Sequence, residues 1–358
     1  LFVFIFSFAP LNLFAQGSAV YTVTGLHVDV TSTSSVDARS KALAEGQQRA
    51  FKQLLHRLII SNDNSRLPEY EPAIIDEYVR DFAVDNERNS PIRYLADLTF
   101  RFKPRKVRVL LRELEIQFAE TVSKPVLVLP IYEESAAKVL WDTPNPWKEA
   151  WDNLKLSGGL VPILLPRGDR RDIGTIGAEQ AVEGDKLQIQ AIGKRYNVAT
   201  VSVAFASMTI GPEGSPVIHV SVISYGSDDR ASTVRNTFML GSGESMNSLL
   251  VRAAKVTATT MEDLWKDDNL IKFEQGSVLA ATLPITSLTD WVSAKRRLYN
   301  IAIIERIDLV LISRKEVRIN IFYLGEVEQL SLALAQADLG LKEEEGNWIL
   351  KLRKLSSR

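Results

Sequence analysis

The stretch of sequence that decides the fold opens with PVLVLP at residues 125–130 and closes with VATVSVAFAS at residues 198–207. Both runs are continuously apolar, which is typical of strands that are covered on both faces of a sheet. Between them, Asn145 is a good helix N-cap and Pro146 suits the first helical position, so a helix is expected there. Strands that alternate with helices predict a mixed α/β unit.

The chain that follows this stretch extends the same unit. Strands are predicted at residues 216–225 and 233–240, and a long helix at 245–266. The apolar stripe expected on that helix is Leu249, Ala253, Val256, Thr260 and Leu264. Together these elements form a unit at residues 124–269, a mixed α/β sandwich. Its layout resembles the amino-terminal domain of the Tol-system propeller protein.

A first unit is predicted upstream, at residues 19–117. Residues 93–103 alternate between apolar and polar side chains, the pattern of a half-buried antiparallel strand. The full set of predicted elements is a strand at 20–30, helices at 36–60 and 68–80, and strands at 82–87 and 93–103. This β-α-α-β-β order resembles the polypeptide-transport-associated domains of envelope proteins, a likeness of topology that carries no function.

A third unit is predicted at residues 276–358. The expected elements are strands at 278–285, 301–312, 315–324 and 348–352, with helices that start near Ser287 and Gly325. The order β-α-β-β-α-β is that of a ferredoxin-like domain. The predicted fold class is therefore α+β or α/β, in three small units.

Composition excludes several classes of protein. The 358 residues carry a net charge of -1, so no overall field would attract nucleic acid, and none is expected as a partner. The chain contains no cysteine. This rules out a lipid-modified cysteine, disulfides, thiolate metal sites and cysteine nucleophiles.

The first 15 residues predict export. LFVFIFSFAPLNLF at residues 1–14 is apolar but shorter than a membrane span, and the small residue Ala15 follows it. This pattern indicates a signal peptide at residues 1–15 and a periplasmic product. The alternative is an amino-terminal anchor that stays attached.

A basic face is predicted just after the first unit's last strand. Arg105, Arg108 and Arg112 would stack on one side of a helix. They could make peripheral contact with anionic lipid headgroups or with an acidic partner. The alternative, which we favour, is a solvated face balanced by Glu113 and Glu115.

The loops of the central unit carry the residues best suited to chemistry. Asp169, Asp172 and Asp185 could bind a divalent cation or act in acid–base catalysis. Arg167 and Arg170, with the adjacent Arg171, could hold an anion. A hydrolase or a metal-binding protein is therefore one alternative function. The other interpretation of RGDRRD is a salt-bridged turn, and the chain has neither an HExxH motif nor a P-loop.

Three of the six tryptophans fall within residues 141–151. Trp141, Trp147 and Trp151 could line a groove for a peptide or a glycan. The alternative, which we favour, is that they cover the core of the central unit, because large aromatic side chains bury most of their area where a core is available. The whole candidate binding surface is Trp141, Asn145, Trp147, Trp151, Arg167, Asp169, Arg170, Asp172 and Asp185.

Several motifs in this order resemble one family of uncharacterised bacterial envelope proteins, known as domain of unknown function 2066 (DUF2066). The motifs are VLVLPIY, VLW, NPWKEAW, LVPILLPRGDRRD, EGD and KRY, with KALAEGQQRAFKQLLHRL before them and FYLGEVEQLSLALAQADLGL after them. The resemblance implies an exported protein and supplies no catalytic residues.

These observations favour a non-enzymatic module of the cell envelope. We expect it to act by protein–protein contact, as a scaffold or an assembly accessory, with an envelope protein as its partner. No cofactor and no metal are expected.

Overall fold

The computed structural model describes residues 19–134, 137–154, 158–211, 214–226, 231–271, 276–344 and 346–352. The predicted signal peptide at 1–15 lies outside these residues. The described residues fall into two compact units, and each is treated separately below. The first contains the described parts of Leu1–Ile59, Asp63–Glu120 and Leu270–Arg358, and the second contains Ile60–Asn62 and the described parts of Thr121–Asn269. Within the described ranges, no helix is both long and apolar enough to cross a bilayer.

The amino-terminal part of the first unit is a three-stranded antiparallel sheet of order β1-β3-β2, covered by one long helix. Its elements are β1 (Thr22–Thr31), α1 (Ser35–Leu58), α2 (Pro72–Ile75), β2 (Val79–Asn89), β3 (Arg93–Phe102) and α3 (Pro104–Glu113). A 3₁₀ turn (Ser61–Arg66) follows α1, and its first two residues belong to the second unit. The alternation predicted for β3 is confirmed: Tyr94, Ala96, Leu98, Phe100 and Phe102 are all buried. Helix α1 lies so close to the sheet that a Cβ on Gly46 would meet Leu98 Cδ1 at 2.5 Å.

Two predictions for this part are wrong. Simple alternation along the strand predicts that Thr22 and Thr24 share a face with Leu26 and Val28, but β1 has a bulge between Val23 and Leu26, where Gly25 has a φ of 67°. The bulge reverses the alternation, so Val23 is buried although its sequence position predicted the opposite face. The helix predicted at 68–80 shrinks to α2, because Val79 already pairs with Phe102 in the sheet.

The three arginines of the predicted basic face each contact another residue of this unit, and Arg108 is largely buried. Arg108 forms an ion pair with Glu120 at 3.0 Å, with side-chain exposures of 12% and 9%. Burial and the neighbouring Glu120 carboxylate raise the pKa of Tyr21, whose hydroxyl donates to that carboxylate. Arg112 pairs with Glu305 at 3.2 Å, and the Arg105 guanidinium lies 5.2 Å from the centre of the Tyr299 ring. Each of the three arginines therefore has a protein contact in this structure.

The carboxyl-terminal part of the first unit is a five-stranded sheet with two helices. Its elements are β10 (Gly276–Pro284), α9 (Leu288–Leu298), β11 (Ile304–Ile312), β12 (Glu316–Leu324), α10 (Val327–Gln336), β13 (Leu339–Glu344) and β14 (Asn347–Leu352). The strand order is β11-β12-β10-β14-β13. Four of these strands and both helices follow the predicted ferredoxin-like order. Strand β13 is an additional edge strand that the sequence did not predict, because LGLKEE lacks the β-branched residues of a typical strand.

The second unit is built on a six-stranded mixed sheet. Strand β4 pairs in parallel with β7, and β7, β8 and β9 follow as an antiparallel meander. Its strands are β4 (Val126–Glu134), β5 (Ala137–Val139), β6 (Ile163–Leu164), β7 (Thr200–Ile210), β8 (Pro216–Tyr225) and β9 (Ala231–Met239). Its helices are α4 (Pro146–Asp152), α5 (Arg170–Thr175), α6 (Ala178–Glu183), α7 (Lys186–Tyr196) and α8 (Met246–Asp268). The predicted mixed α/β class is confirmed by these three sheets and their helices.

Both faces of this sheet are covered. One face packs on α4 and α8 through Val128, Ala204 and Val220, and the other on α6 and α7 through Leu129 and Val203. The apolar stripe predicted for α8 is partly wrong, because Val256 and Leu264 are 41% and 46% exposed. The buried stripe is Leu249, Leu250, Ala253, Ala254, Thr257 and Ala258. Trp265 continues this buried stripe by packing against the core, which places the neighbouring Leu264 on the exposed side of the helix.

The start of α8 gives a pH-dependent prediction. Hydrogen bonds from Arg252 and then from the Gly241 N–H lower the pKa of Glu244 from 4.5 to about 2. Because the folded pKa is lower than the unfolded one, this stabilisation is complete above pH 4.5 and is lost as the pH falls through about 2. We expect Glu244→Gln to melt at a lower temperature than the wild type at neutral pH, and the two melting temperatures to converge near pH 2. Thermal melts across this range check it, and a difference that persists unchanged at the acid end would contradict it.

Candidate functional site

The RGDRRD sequence forms the start of a helix. Asp169 is the N-cap of α5, and its Oδ1 accepts hydrogen bonds from the Arg171 N–H at 2.9 Å and the Asp172 N–H at 3.0 Å. These bonds satisfy backbone donors that a helix start leaves free. Led by the bond from the Asp172 N–H, they hold the pKa of Asp169 below its usual value. In place of the turn predicted from RGDRRD, the structure has a capped helix of six residues.

Asp172 is the buried centre of the cluster, with no exposed surface. Its Oδ1 accepts from Arg195 Nε at 2.6 Å. Its Oδ2 accepts from the Gly168 N–H at 2.9 Å and from the Tyr196 hydroxyl at 2.6 Å. Three donors therefore satisfy one buried carboxylate, which is the condition under which a buried charge is tolerated.

Arg195 joins the two aspartates. Its Nη2 donates to Asp169 Oδ2 at 2.5 Å while its Nε binds Asp172. Tyr196 adds a second link, because its hydroxyl accepts from the Arg167 N–H at 2.7 Å. Burial, and then the bond to Asp172, raise the pKa of Tyr196 above its usual value. We call Asp169, Asp172, Arg195 and Tyr196 the clamp, because they fix the 167–172 segment to the end of α7.

An open groove lies against the clamp. Its lining residues are Arg167, Asp169, Arg170, Arg171, Arg195 and Tyr196, and its volume is about 620 Å³. Arg167, Arg170 and Arg171 are exposed and form no ion pair with any described residue. We call these three residues the free arginines. Arg195 is already paired with Asp169 and Asp172, so the positive charge of the groove comes from the three free arginines, which suits it to an anionic ligand.

Asp185 does not join this cluster. It caps α7, where its Oδ1 accepts from the Leu187 N–H at 3.0 Å and the Gln188 N–H at 3.2 Å. The described parts of the chain contain no group of three acidic, histidine or cysteine side chains that could hold a metal ion. The structure therefore brings Asp169 and Asp172 together through an arginine and gives Asp185 a capping role of its own.

The aromatic half of the predicted surface lies mostly in the core. Trp147 and Trp151 are both 0% exposed and pack edge to face, with ring centres 5.8 Å apart. The Trp147 Nε1–H donates to the Ala204 carbonyl of β7 at 2.9 Å. Asn145, 2% exposed, caps α4 through the Lys148 N–H and donates to the Pro130 and Val139 carbonyls. These three side chains therefore have no surface to offer a ligand.

Trp141 is the exception among the tryptophans of this segment. It is partly buried, donates from Nε1 to the Ile176 carbonyl at 2.7 Å, and lies 3.6 Å from the position that a Cβ on Gly168 would take. It therefore supports the segment that carries the groove. Of the three tryptophans predicted to bind a peptide or a glycan, Trp141 is the one with a partly exposed side chain.

Two residues of the clamp were missed by the sequence analysis. Arg195 and Tyr196 stand at the end of α7, 23 and 24 positions after Asp172. A separation of 23 or 24 residues does not predict that these side chains contact Asp172, because the contact depends on how α7 packs.

Comparison with known proteins gives few matches. Residues 21–120 match the family described as domain of unknown function DUF8605. The predicted membership of DUF2066 is wrong, because the matching family is a different one. No curated protein matches the sequence. Among solved structures, lipoprotein GNA1162 from Neisseria meningitidis is 14% identical, with a TM-score of 0.27, and the match covers 39% of this chain and 96% of the lipoprotein. A similarity of that size supports no inference about function, and the family match is confined to the amino-terminal sheet and its helices.

Proposed function

We propose that this protein is an exported, non-enzymatic interaction module of the cell envelope, and that it binds a partner protein through the groove of the free arginines. The single observation that carries the proposal is that the aspartates and the arginines of segment 167–172 differ in whether internal contacts engage them. The carboxylates at 169 and 172 are engaged by internal donors, whereas Arg167, Arg170 and Arg171 are exposed and without an ion pair among the described residues.

The state of the carboxylates supports a role other than catalysis. A general base must reach the proton that it abstracts, within about 3 Å or through one water. Asp172 is fully buried and accepts from three donors, and both oxygens of Asp169 are already hydrogen-bonded. The clamp therefore serves to position the segment, and the arginines remain available for contact.

The chemistry of the groove favours an acidic protein segment as the ligand. A guanidinium group binds a carboxylate with two parallel hydrogen bonds, and this geometry gives specificity as well as attraction. Small-molecule sites bury most of their ligand in a largely apolar pocket. This groove is open and lined by charged residues, so it fits an extended acidic stretch better than an enclosed substrate.

A periplasmic location remains part of the proposal. It is supported by the apolar run at residues 1–14 followed by Ala15, and by the absence of a cysteine that could carry lipid. Peripheral contact with membrane through Arg105, Arg108 and Arg112 would require these residues to exchange their present contacts with Tyr299, Glu120 and Glu305.

The test compares two triple variants in crosslinking and pull-down from cell envelopes. Arg167→Gln, Arg170→Gln and Arg171→Gln together remove the free arginines. The control replaces three exposed lysines of the same unit, Lys124, Lys194 and Lys255, by glutamine. We expect the arginine variant to recover the partner at least about tenfold less well, since charged contacts at an interface contribute on the order of 1–2 kcal/mol together.

Both variants should keep wild-type stability to within about 0.5 kcal/mol, because the substituted side chains make no internal ion pair. Recovery should also weaken as salt is added. Equal recovery by the two variants would rule out the groove as the binding surface. Reproducible recovery of no partner by the wild type would count against the interaction module itself.

A further inference from the structure

Strand β11 is the exposed edge of the five-stranded sheet. Among the described strands it pairs only with β12, and its last four residues are apolar and exposed: Leu309 is 52%, Val310 60%, Leu311 44% and Ile312 44% exposed. An edge strand presents unpaired backbone N–H and C=O groups to any strand that can lie beside it. Natural edges are usually protected by charged side chains, proline, bulges or a short length. Strand β11 spans nine residues without lysine or proline, and its charges and two irregularities leave the four residues 306–309 in regular register.

The regular part of this edge is short and well defined. The register of β11 against β12 shifts between Ile304 and Arg306 and again between Leu309 and Leu311. Between these irregularities, residues 306–309 pair in unbroken register with Phe322, Ile321, Asn320 and Ile319. A further strand would therefore pair most readily along Arg306, Ile307, Asp308 and Leu309.

The charges on this segment are self-complementary. Arg306 and Asp308 lie on the same face of β11, two residues apart, with side-chain exposures of 62% and 46%. Their ion pair within the chain, at 3.2 Å, is a surface contact that stabilises little. The Arg306 guanidinium lies 4.0 Å from the centre of the Phe322 ring, so it is held on the outer face of the sheet.

Two-fold symmetry selects one register. In an antiparallel pair, residues opposite each other lie on the same face, so a two-fold axis must pass beside a residue. An axis at Asp308 would place two aspartates opposite each other, and an axis at Arg306 would do so with two arginines. An axis at Ile307 places Arg306 of each copy opposite Asp308 of the other, which gives two pairs of opposite charge. Opposite charges stabilise a cross-strand pair and like charges destabilise it.

We propose that β11 is a dimerisation edge, at which a second copy of this chain pairs antiparallel about Ile307 and the two five-stranded sheets become continuous. This surface lies in the first compact unit, away in sequence from the arginine groove, and does not depend on what the groove binds. Backbone pairing supplies the attraction, as in other cases of strand addition, and the two Arg306–Asp308 pairs set the register.

The test is a charge exchange measured by sedimentation or light scattering over a range of protein concentrations. Arg306→Asp alone and Asp308→Arg alone each place like charges opposite each other at both pairs. We expect each to weaken dimerisation by about tenfold or more. The double variant with both substitutions should dimerise like the wild type. An equimolar mixture of the two single variants should form heterodimers, since every pair across the edge is then of opposite charge.

The matched control is Arg318→Asp. Arg318 lies on the neighbouring strand β12, forms the same kind of pair with a residue two positions away, Glu316, and is 58% exposed. It is not on the edge, so its reversal should leave the dimer intact. A wild type that stays monomeric at every concentration would overturn the proposal. So would a dimer that the single reversals do not weaken, or one that Arg318→Asp weakens as much as they do.

Discussion

Replacing Asp172 by alanine is expected to lower the free energy of unfolding of the second unit by about 3–5 kcal/mol. The change leaves Arg195 Nε, the Tyr196 hydroxyl and the Gly168 N–H without the fully buried carboxylate that accepts their hydrogen bonds. Arg195 keeps its bond from Nη2 to Asp169 but loses the bond from Nε to the fully buried carboxylate. Loss of one partner from a buried ion pair is strongly destabilising. Arg195 is only 23% exposed, so water can replace little of what it loses.

The measurement is urea unfolding followed by tryptophan fluorescence. Four of the six tryptophans, at positions 141, 147, 151 and 265, belong to the second unit, so the signal reports mainly on it. Asp185→Ala is the matched control, because it removes a cap from α7 and should cost only about 1 kcal/mol. If the two substitutions were equally mild, Asp172 would not be the centre of a structural clamp.

Replacing Trp147 by alanine is expected to cost a similar amount, about 3–5 kcal/mol. The indole is completely buried between β7 and α8, stacks edge to face on Trp151, and donates to the Ala204 carbonyl. Its loss leaves a cavity and a carbonyl without this donor. Urea unfolding of the variant measures the cost, with far-ultraviolet circular dichroism to detect it independently of the lost fluorophore.

Two variants make this prediction specific. Trp147→Phe keeps a ring in the core and should lose clearly less than Trp147→Ala. Trp141→Ala should also lose less, because that side chain is only partly buried. A Trp147→Ala protein as stable as the wild type would mean that this residue is not part of the core, and the surface role first considered for it would be open again.

Periodicity predicted the parts of the fold in which one face is simply buried. The alternation of β3 was recovered from sequence, because side chains alternate along a half-buried strand. The ends of β8 at Pro216 and Tyr225 also agree with the predicted range. The caps Asn145 and Ser287 were recovered because each carries a short polar side chain just before a helix begins.

What failed depended on contacts between distant residues. The bulge at Gly25 changes which side chains of β1 face the core, and the composition of the strand does not reveal it. Strand β2 begins at Val79, within the range predicted to be helical, because that residue pairs with β3. In the site, Asp169 and Asp172 were chosen for their carboxylates, yet their role is set by Arg195 and Tyr196 more than 20 residues away. The tryptophans were ambiguous for the same reason, since only packing decides whether an indole faces a core or a ligand.

The central claim is that the aspartates of the second unit hold the free arginines in place and do not hold a catalytic metal. The most direct measurement is the urea midpoint of the wild type and of Asp172→Ala, each with and without saturating Mg²⁺, Mn²⁺ or Zn²⁺, because an ion that binds only the folded state raises the midpoint. We predict that no ion shifts the wild-type midpoint and that the variant lies below it by the same interval in every solution. An ion that raises the wild-type midpoint and leaves that of Asp172→Ala unchanged would contradict the claim.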